Sequence, residues 1–337
     1  MKVLFVGGTG VISSAVSALA AEKGIELYLL NRGNRKDFVP QGARVLIGDI
    51  KDADSVRAAI KNHRFDSVVD WISYVPQDVE QNIRLFSGVT DQFCFISSAS
   101  AYQKPLRHYL VDESTPLCNP YWEYSRDKIA CEDILMKEYR EKGFPVTIIR
   151  PSYTYNKTLI PFLFNSRKHR WTLIDRMRKG MKIIVPGDGT TLFAITHNTD
   201  FAKGFIGLLG NPKAIGHAFH ITSDEVLTWD QIARDIGAAA GAEPDILHVS
   251  SDFICRVSPE HTGGLIGEKS WSIVYDNSKI KRFVPGFHAS MPFAEGIKES
   301  ISWYEANPGL LSVDDDFNNL CDRIARGWEK GIEAAML

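Results

Sequence analysis

Tyr124 and Lys128 stand four residues apart in the run Tyr-Ser-Arg-Asp-Lys. On a helix that spacing puts both side chains on one face, one turn apart. A phenol with a pKa of about 10 exchanges protons poorly at neutral pH. A neighbouring ammonium favours the phenolate and lowers that pKa, so the pair could pass a proton to or from a substrate hydroxyl or carbonyl. The spacing alone is common. Its meaning depends on the elements that hold it.

Those elements follow from periodicity. Short apolar runs at 3–6, 27–30, 44–47, 67–70, 92–96 and 146–149 read as strands. Between them the spacing predicts helices over 11–23, 53–62, from Pro76 onward, and through Tyr124 and Lys128 to about residue 141. Alternating strands and helices need crossover connections, hence a parallel sheet covered on both faces. The predicted fold is a Rossmann-type, doubly wound α/β sheet with a smaller C-terminal substrate-binding domain. Residues 1–150 form the dinucleotide-binding part and 151–337 mainly the substrate part, with segments near 182–221 returning to the first. Two later runs, 182–185 and 218–221, still read as strands, and 314–330 reads as a helix with three acidic residues at its positive end.

Gly7-Gly-Thr-Gly10 lies between the first strand and the first helix. Glycines there permit a tight turn and close backbone approach to a pyrophosphate, whose charge the helix N-terminus stabilises. The third glycine of the expected Gly-x-x-Gly-x-x-Gly is Ser13, still small enough for close packing. The cofactor contacts expected around this loop are Gly7, Gly10, Val11, Ile12, Asn31, Arg32, Arg35, Asp49 and Ile50. Asp49 would accept a hydrogen bond from an adenine amino group; a turn or capping role is its other reading. The second strand ends in Asn31-Arg-Gly-Asn-Arg35 with no acidic residue to hold ribose hydroxyls. Arg32 and Arg35 could pair with a 2′-phosphate, or be solvated surface arginines. NAD(P) is therefore expected, with NADP slightly favoured and NAD open.

Composition narrows the class. The chain has 337 residues, 44% hydrophobic and 24% charged, with a formal net charge of -2. No long basic run advertises a nucleic-acid or acidic-membrane surface. The five cysteines are scattered and no Cys/His spacing suggests a metal, so reduced thiols are expected. The N-terminus runs straight into a strand, leaving no room for a signal peptide, and no apolar stretch could span a bilayer. A cytoplasmic protein is the expectation.

The fifth strand leads into Ser97-Ser-Ala-Ser-Ala-Tyr102. With the glycine loop, this segment, Tyr124/Lys128 and Arg150-Pro151, the chain resembles the extended short-chain dehydrogenase/reductase superfamily, and more narrowly its NAD-dependent epimerase/dehydratase group. Pro186-Gly-Asp-Gly189 and His197-Asn-Thr-Asp200 match later blocks, so the resemblance covers nearly the whole chain. It implies that Ser98 hydrogen-bonds the reacting oxygen and that Tyr124 moves its proton. Lys128 would hold the nicotinamide ribose and lower the phenol's pKa. The carboxyl end of a parallel strand is also where such sheets expose functional groups. A homodimer is common in the superfamily and is implied by analogy.

Departures from the group's pattern shape the chemistry. Ala99 and Ser100 stand where 4,6-dehydratases place an Asp-Glu pair, so dehydration by that route is disfavoured. Tyr153 replaces an Asn usual in epimerases, and the stretch 190–194 lacks the arginine that neutralises a substrate diphosphate. Arg167, Lys168, Arg170, Arg176 or Arg178 could substitute, or form a solvated face. Tyr102, Tyr121, Tyr153, Tyr155, Lys157 and Thr158 are the groups expected near the substrate, each with packing as its other reading. His197 and His220 read as structural histidines. The leading function is an NAD(P)-dependent epimerase-like enzyme moving hydride to and from a secondary alcohol of a sugar or sugar nucleotide. The alternatives are a dehydrogenase or reductase of a non-nucleotide substrate, and an RNA-associated or cofactor-sensing binding protein; the net charge makes nucleic acid the least favoured partner.

Overall fold

Val3, Leu4, Phe5 and Val6 alternate their side chains between two faces of a strand, and both faces are buried. Val3 and Phe5 join one core with Leu27, Leu29, Val69 and Cys94; Leu4 and Val6 join another with Tyr28, Leu30, Val68 and Phe95. That two-sided burial is why the strands read as unbroken apolar runs. Fully burying one such side chain contributes roughly 1.5–3 kcal/mol.

The computed structural model describes residues 1–34 and 38–337. Seven strands form the main sheet: β1 (Lys2–Val6), β2 (Glu26–Asn31), β3 (Arg44–Ile47), β4 (Ser67–Asp70), β5 (Phe93–Ile96), β6 (Val146–Pro151) and β7 (Ala218–Ile221). Their spatial order is β7-β6-β5-β4-β1-β2-β3, with every pairing parallel. β1 lies between β2 and β4, in register Phe5 with Leu29 and Val69. The strand order reverses there, which in open α/β sheets opens a crevice at the carboxyl ends.

Helices cover both faces: α1 (Ser13–Glu22), α2 (Ala53–Ile60), α3 (Pro76–Phe86), α4 (Glu123–Lys142) and α5 (Asn198–Ile206). Val16 and Ala20 of α1 share one core with Phe201 and Phe205 of α5. Val56 of α2, Val79 and Ile83 of α3, and Cys131 and Leu135 of α4 fill the other. Asp52 caps α2 by accepting from the amides of Asp54 and Ser55. α4 ends at Gly143, whose φ of 72° is the left-handed conformation glycine adopts without strain.

Beyond β6 a third core gathers Phe162, Phe193, Trp229 and Ile297 among many others. Of the two later runs expected to be strands, 218–221 joins the main sheet as β7 beside β6. The other, observed as Ile183–Pro186, pairs instead with Ile246–Val249 outside that sheet. The C-terminal helix spans Asp315–Ala335, with Asp314 accepting from the Phe317 amide at its start. No helix among the described residues is long and apolar enough to cross a membrane.

Candidate active site

The turn after β1 is set by two glycines, Gly7 and Gly8, with φ of 99° and 98°. A Cβ on Gly8 would lie 2.7 Å from Leu29 Cδ2, and one on Gly7 3.0 Å from Ile72 Cγ2. Only glycine fits both the conformation and the space. The Gly7 amide donates to the Leu30 carbonyl (3.0 Å), and the buried Ser17 hydroxyl donates to Gly8 O (2.8 Å). α1 then starts after Ile12 with no side-chain cap. Such a bare, positively polarised end suits an anion, so the turn fits a dinucleotide pyrophosphate. Ser13 does more than replace a glycine: its Oγ accepts from the Gly10 amide (2.8 Å), so that amide is already engaged. Val11 O accepts from Asn198 Nδ2 (2.8 Å), tying the loop to α5.

The remaining expected cofactor contacts lie at the neighbouring strand ends. Asn31 closes β2 and its side-chain oxygen accepts from the Gly33 amide (2.8 Å). Asp49, after β3, accepts from the Lys51 amide (3.1 Å), a turn role that matches its other reading. Ile50 accepts from Gln81 Nε2 of α3 through its carbonyl. Arg32 is exposed, and Arg35 lies outside the described residues.

Ser98 lies two residues past the end of β5. Its Oγ lies 2.9 Å from Ser100 Oγ, and Ser125 Oγ of α4 donates to that same Ser100 oxygen (2.8 Å). A chain of three hydroxyls thus links the β5 end to the first turn of α4. Asn119 Nδ2 fixes the intervening turn by donating to Ser100 O (2.8 Å). Ser98 also hydrogen-bonds the Tyr124 phenol. Tyr124 stands between Trp122 and Tyr74, with ring centroids 4.9 and 6.2 Å away.

Lys128, one turn further along α4, is buried. Its Nζ donates to Ser73 O (2.6 Å) and Ile96 O (2.8 Å), joining the carboxyl ends of β4 and β5. Asp70 shapes the first of these ends: its carboxylate accepts from the amides of Ile72 and Ser73 and from Asn82 Nδ2. Two of the three ammonium hydrogens are therefore used by the protein, leaving one for a ligand.

The acid–base balance differs from the expectation. Burial pushes the Tyr124 phenol up to about 12, against the opposing Ser98 hydrogen bond. The expected lowering by Lys128 does not prevail, because desolvation disfavours the phenolate and the ammonium, 5.9 Å from the ring centroid, is held by two carbonyls. Burial also lowers Lys128 to about 8, with Asp70 opposing. Lys128 carries its charge below that value and loses it above. Turnover that needs the ammonium should fall through a one-proton limb near pH 8, read from a pH–rate profile. The variant K128R, charged throughout, should lack that limb; an unchanged limb would remove Lys128 as its source.

α4 carries one further residue on the same stripe. Glu132 lies four residues after Lys128 and meets Arg150 of β6 through paired contacts, the shortest 2.6 Å, with both side chains under a tenth exposed. Ser97 also donates to Glu132. The spacing 124, 128, 132 carries this signal in the sequence, although Glu132 was not among the expected site residues.

On the substrate side, the four tyrosines part company. Tyr153 lines a cavity of about 120 Å³ with Asn165, Arg167, Arg170, His261 and Lys269. Tyr102 and Tyr155, expected beside the substrate, are core residues instead. Tyr102 is fully buried, its hydroxyl 3.0 Å from His220 Nδ1 and its face 5.0 Å from the Arg150 guanidinium. Tyr155 is sealed against His197, Phe293 and Gly296. Tyr121 is exposed and is not among the residues lining that cavity. His220 bonds Tyr102 and the Asp276 carbonyl; His197 Nδ1 lies 2.7 Å from Thr199 Oγ1, while its buried Nε2 has no hydrogen-bond partner among the described residues.

The arginines divide similarly. Arg176 is buried against Asp322 and the Lys182 carbonyl, and Arg178 pairs with Glu305. Arg167 and Arg170 face the cavity, and neither is in an ion pair among the described residues. A larger hollow of about 610 Å³ shares Asn165, Arg167 and His261 with it and adds Lys168 and Arg323. None of Ser98, Tyr124 and Lys128 lines that hollow. Lys157 and Thr158 sit on the 153–158 segment, where the Thr158 carbonyl accepts from Tyr304.

The chain is similar to known proteins in sequence and in fold. A chloroplast stem-loop binding protein of 41 kDa from Arabidopsis thaliana is 29% identical over 263 residues, which is 73% of this chain. The chain matches 65% of that protein's length, just under two thirds. A dTDP-glucose 4,6-dehydratase from Bacillus anthracis in complex with NAD superposes with a TM-score of 0.72 at 18% identity, over 92% of this chain and 98% of that one. A UDP-glucose 4-epimerase from Thermus thermophilus, also in complex with NAD, gives 0.68 at 18% identity, over 91% and 100%. The likeness spans an epimerase and a dehydratase alike, so it lends no support to the expectation that dehydration is disfavoured. The model of the NAD dependent epimerase/dehydratase family matches residues 3–222, and this chain belongs to that family.

Proposed function

We propose that the protein is a nicotinamide-dependent, epimerase-like enzyme acting on a secondary alcohol of a sugar nucleotide. The observation that carries this reading is the meeting of Ser98, Tyr124 and Lys128 at the carboxyl ends of β4 and β5. NAD, when bound, supplies the hydride acceptor and donor. Gly7, Gly8 and the start of α1 would hold its pyrophosphate, and the free ammonium hydrogen of Lys128 would hold a ribose hydroxyl. NAD is the cofactor proposed rather than NADP. Arg32 is exposed, and the solved structures named above were obtained with NAD.

Tyr124 takes the proton of the reacting carbinol and returns it, while Ser98 hydrogen-bonds the same oxygen. The free cleft keeps the phenol protonated. Donation of a proton to a carbonyl oxygen is thus the half-reaction for which Tyr124 is already prepared; the reverse half needs the phenolate. Arg167 and Arg170 support a diphosphate-bearing substrate, because guanidinium groups that line a cavity and have no ion pair among the described residues favour a phosphate through charge-assisted hydrogen bonds.

The test is incubation with NAD and either UDP-glucose or dTDP-glucose, followed by proton NMR and the reduced-nicotinamide absorbance. An epimerised sugar without net reduction of NAD is the expected result. Net accumulation of reduced nicotinamide would make the enzyme a dehydrogenase, and a 4-keto-6-deoxy product would make it a dehydratase. No change in either sugar nucleotide would sink the substrate class. The stem-loop binding relative favours a second reading, nucleic-acid binding. Salt-sensitive retention of a stem-loop RNA on a filter would support it.

A further inference from the structure

Residues Leu265–Lys269 form a π-helical turn, a conformation that is rare and often found at functional sites. This turn is fastened to the catalytic edge of the sheet. Asn119 Nδ2 bridges Ser100 O (2.8 Å) and Gly267 O (2.7 Å), joining it to the turn that follows Ser98. Its other support is Trp122, two residues before Tyr124. A Cβ on Gly267 would lie 2.9 Å from Trp122 Cβ, and one on Gly263, just before the turn, 2.3 Å from Trp122 Cδ1, so glycine at both positions lets this segment pack against Trp122.

The turn ends in Glu268 and Lys269, an ion pair at 2.6 Å whose side chains are 14% and 12% exposed. Lys269 Nζ lies between two aromatic faces, 5.8 Å from Trp122 and 5.0 Å from Tyr153. Trp122 in turn stands 4.9 Å from Tyr124. Lys269 also lines the cavity with Arg167 and Arg170. The Glu268 charge acts on Tyr124 and on Lys104, a buried ammonium that donates to Tyr102 O at 3.3 Å. The pair therefore occupies the ground between the proton-transfer phenol and the cationic cavity.

A carboxylate beside an ammonium is complementary to neighbouring hydroxyl groups: the first accepts from O–H, the second donates to oxygen. Flanking rings offer faces for the C–H surface of a sugar. We infer that Glu268 and Lys269 hold the hydroxyls of the sugar ring whose carbinol faces Tyr124, and so select which sugar reacts. This assignment rests on the sugar-nucleotide reading and names two residues that its chemistry does not itself require.

The test uses the full chain saturated with NAD, titrated calorimetrically with UDP-glucose and dTDP-glucose, and with UDP and dTDP as controls that lack the sugar. Variants E268Q and K269M should bind the better sugar nucleotide about 10- to 100-fold more weakly, the range expected on losing a hydrogen bond to a charged group. Affinity for NAD should stay within about twofold of wild type in both variants, and E268Q should keep its affinity for the matching nucleotide diphosphate within the same range; K269M, which removes a cation lining the cavity, should lose more affinity for the sugar nucleotide than for the diphosphate. K269M keeps the length and apolar bulk of the stem, so it carries the test if E268Q folds poorly. Unchanged sugar-nucleotide affinity in the variants, or an equal loss for the sugar-free diphosphate, overturns the assignment while leaving the substrate class intact. A wild-type protein that binds none of the four overturns both.

Discussion

Replacing Tyr124 by phenylalanine should reduce kcat about 10²–10⁴-fold, the usual contribution of a positioned proton-transfer group. The fold should survive. Tyr124 is held chiefly by its ring, between Trp122 and Tyr74, and phenylalanine keeps that packing. Ser98 loses one partner but retains Ser100. The stability cost is therefore that of a single hydrogen bond, about 1 kcal/mol. NAD affinity should be unaffected, because Lys128 and the glycine turn are untouched. Steady-state kinetics on the sugar nucleotide that turns over will check this, with a thermal melt as control. A kcat within tenfold of wild type would remove Tyr124 from the chemistry. S98A should cost less, since it removes a hydrogen-bonding partner of the reacting oxygen and leaves the proton carrier in place.

The second large effect concerns stability. E132A should destabilise the protein by about 3–5 kcal/mol, the usual cost of leaving one partner of a buried ion pair uncompensated. Arg150 is 7% exposed in its side chain, and without Glu132 it keeps the Glu113 carbonyl and Tyr102 beside it. The double variant E132M/R150M should recover most of the loss, because removing both charges also removes their desolvation cost. Chemical denaturation of the two single variants and the double variant will measure this. Additive losses would show that the pair is not coupled. The effect should also reach the active site, since Glu132 anchors the face of α4 that carries Tyr124 and Lys128.

The sheet was legible in the chain because its signals are local. Buried strands show as short apolar runs, helices as 3.6-residue periodicity, and the dinucleotide turn as glycines between the two. The strands at 44–47, 67–70 and 218–221 have the bounds read from the sequence. Boundaries elsewhere moved by a residue or two, as capping and fraying make usual. The strand expected at 182–185 was found, but its partner was not foreseeable. Apolar alternation states that a strand is buried, not which edge it joins, and Ile183–Pro186 joins Ile246–Val249.

Residue types in order were enough to nominate Ser98, Tyr124 and Lys128, and their positions on one strand end and one helix face follow from periodicity. Local patterns along the chain thus specify the parallel sheet, its glycine turn and the helix that presents the pair. Tertiary structure decided the environment of each group. It buried Tyr124 deeply enough for desolvation to outweigh the nearby ammonium. It turned Tyr102 and Tyr155 into core side chains while Tyr153 stayed at the cavity. It also brought Glu268 and Lys269 beside a helix that lies more than a hundred residues earlier. The reason is one of range. Hydrogen-bonding periodicity is written between residues a few positions apart, whereas desolvation and charge depend on whichever distant segments the fold packs around a side chain.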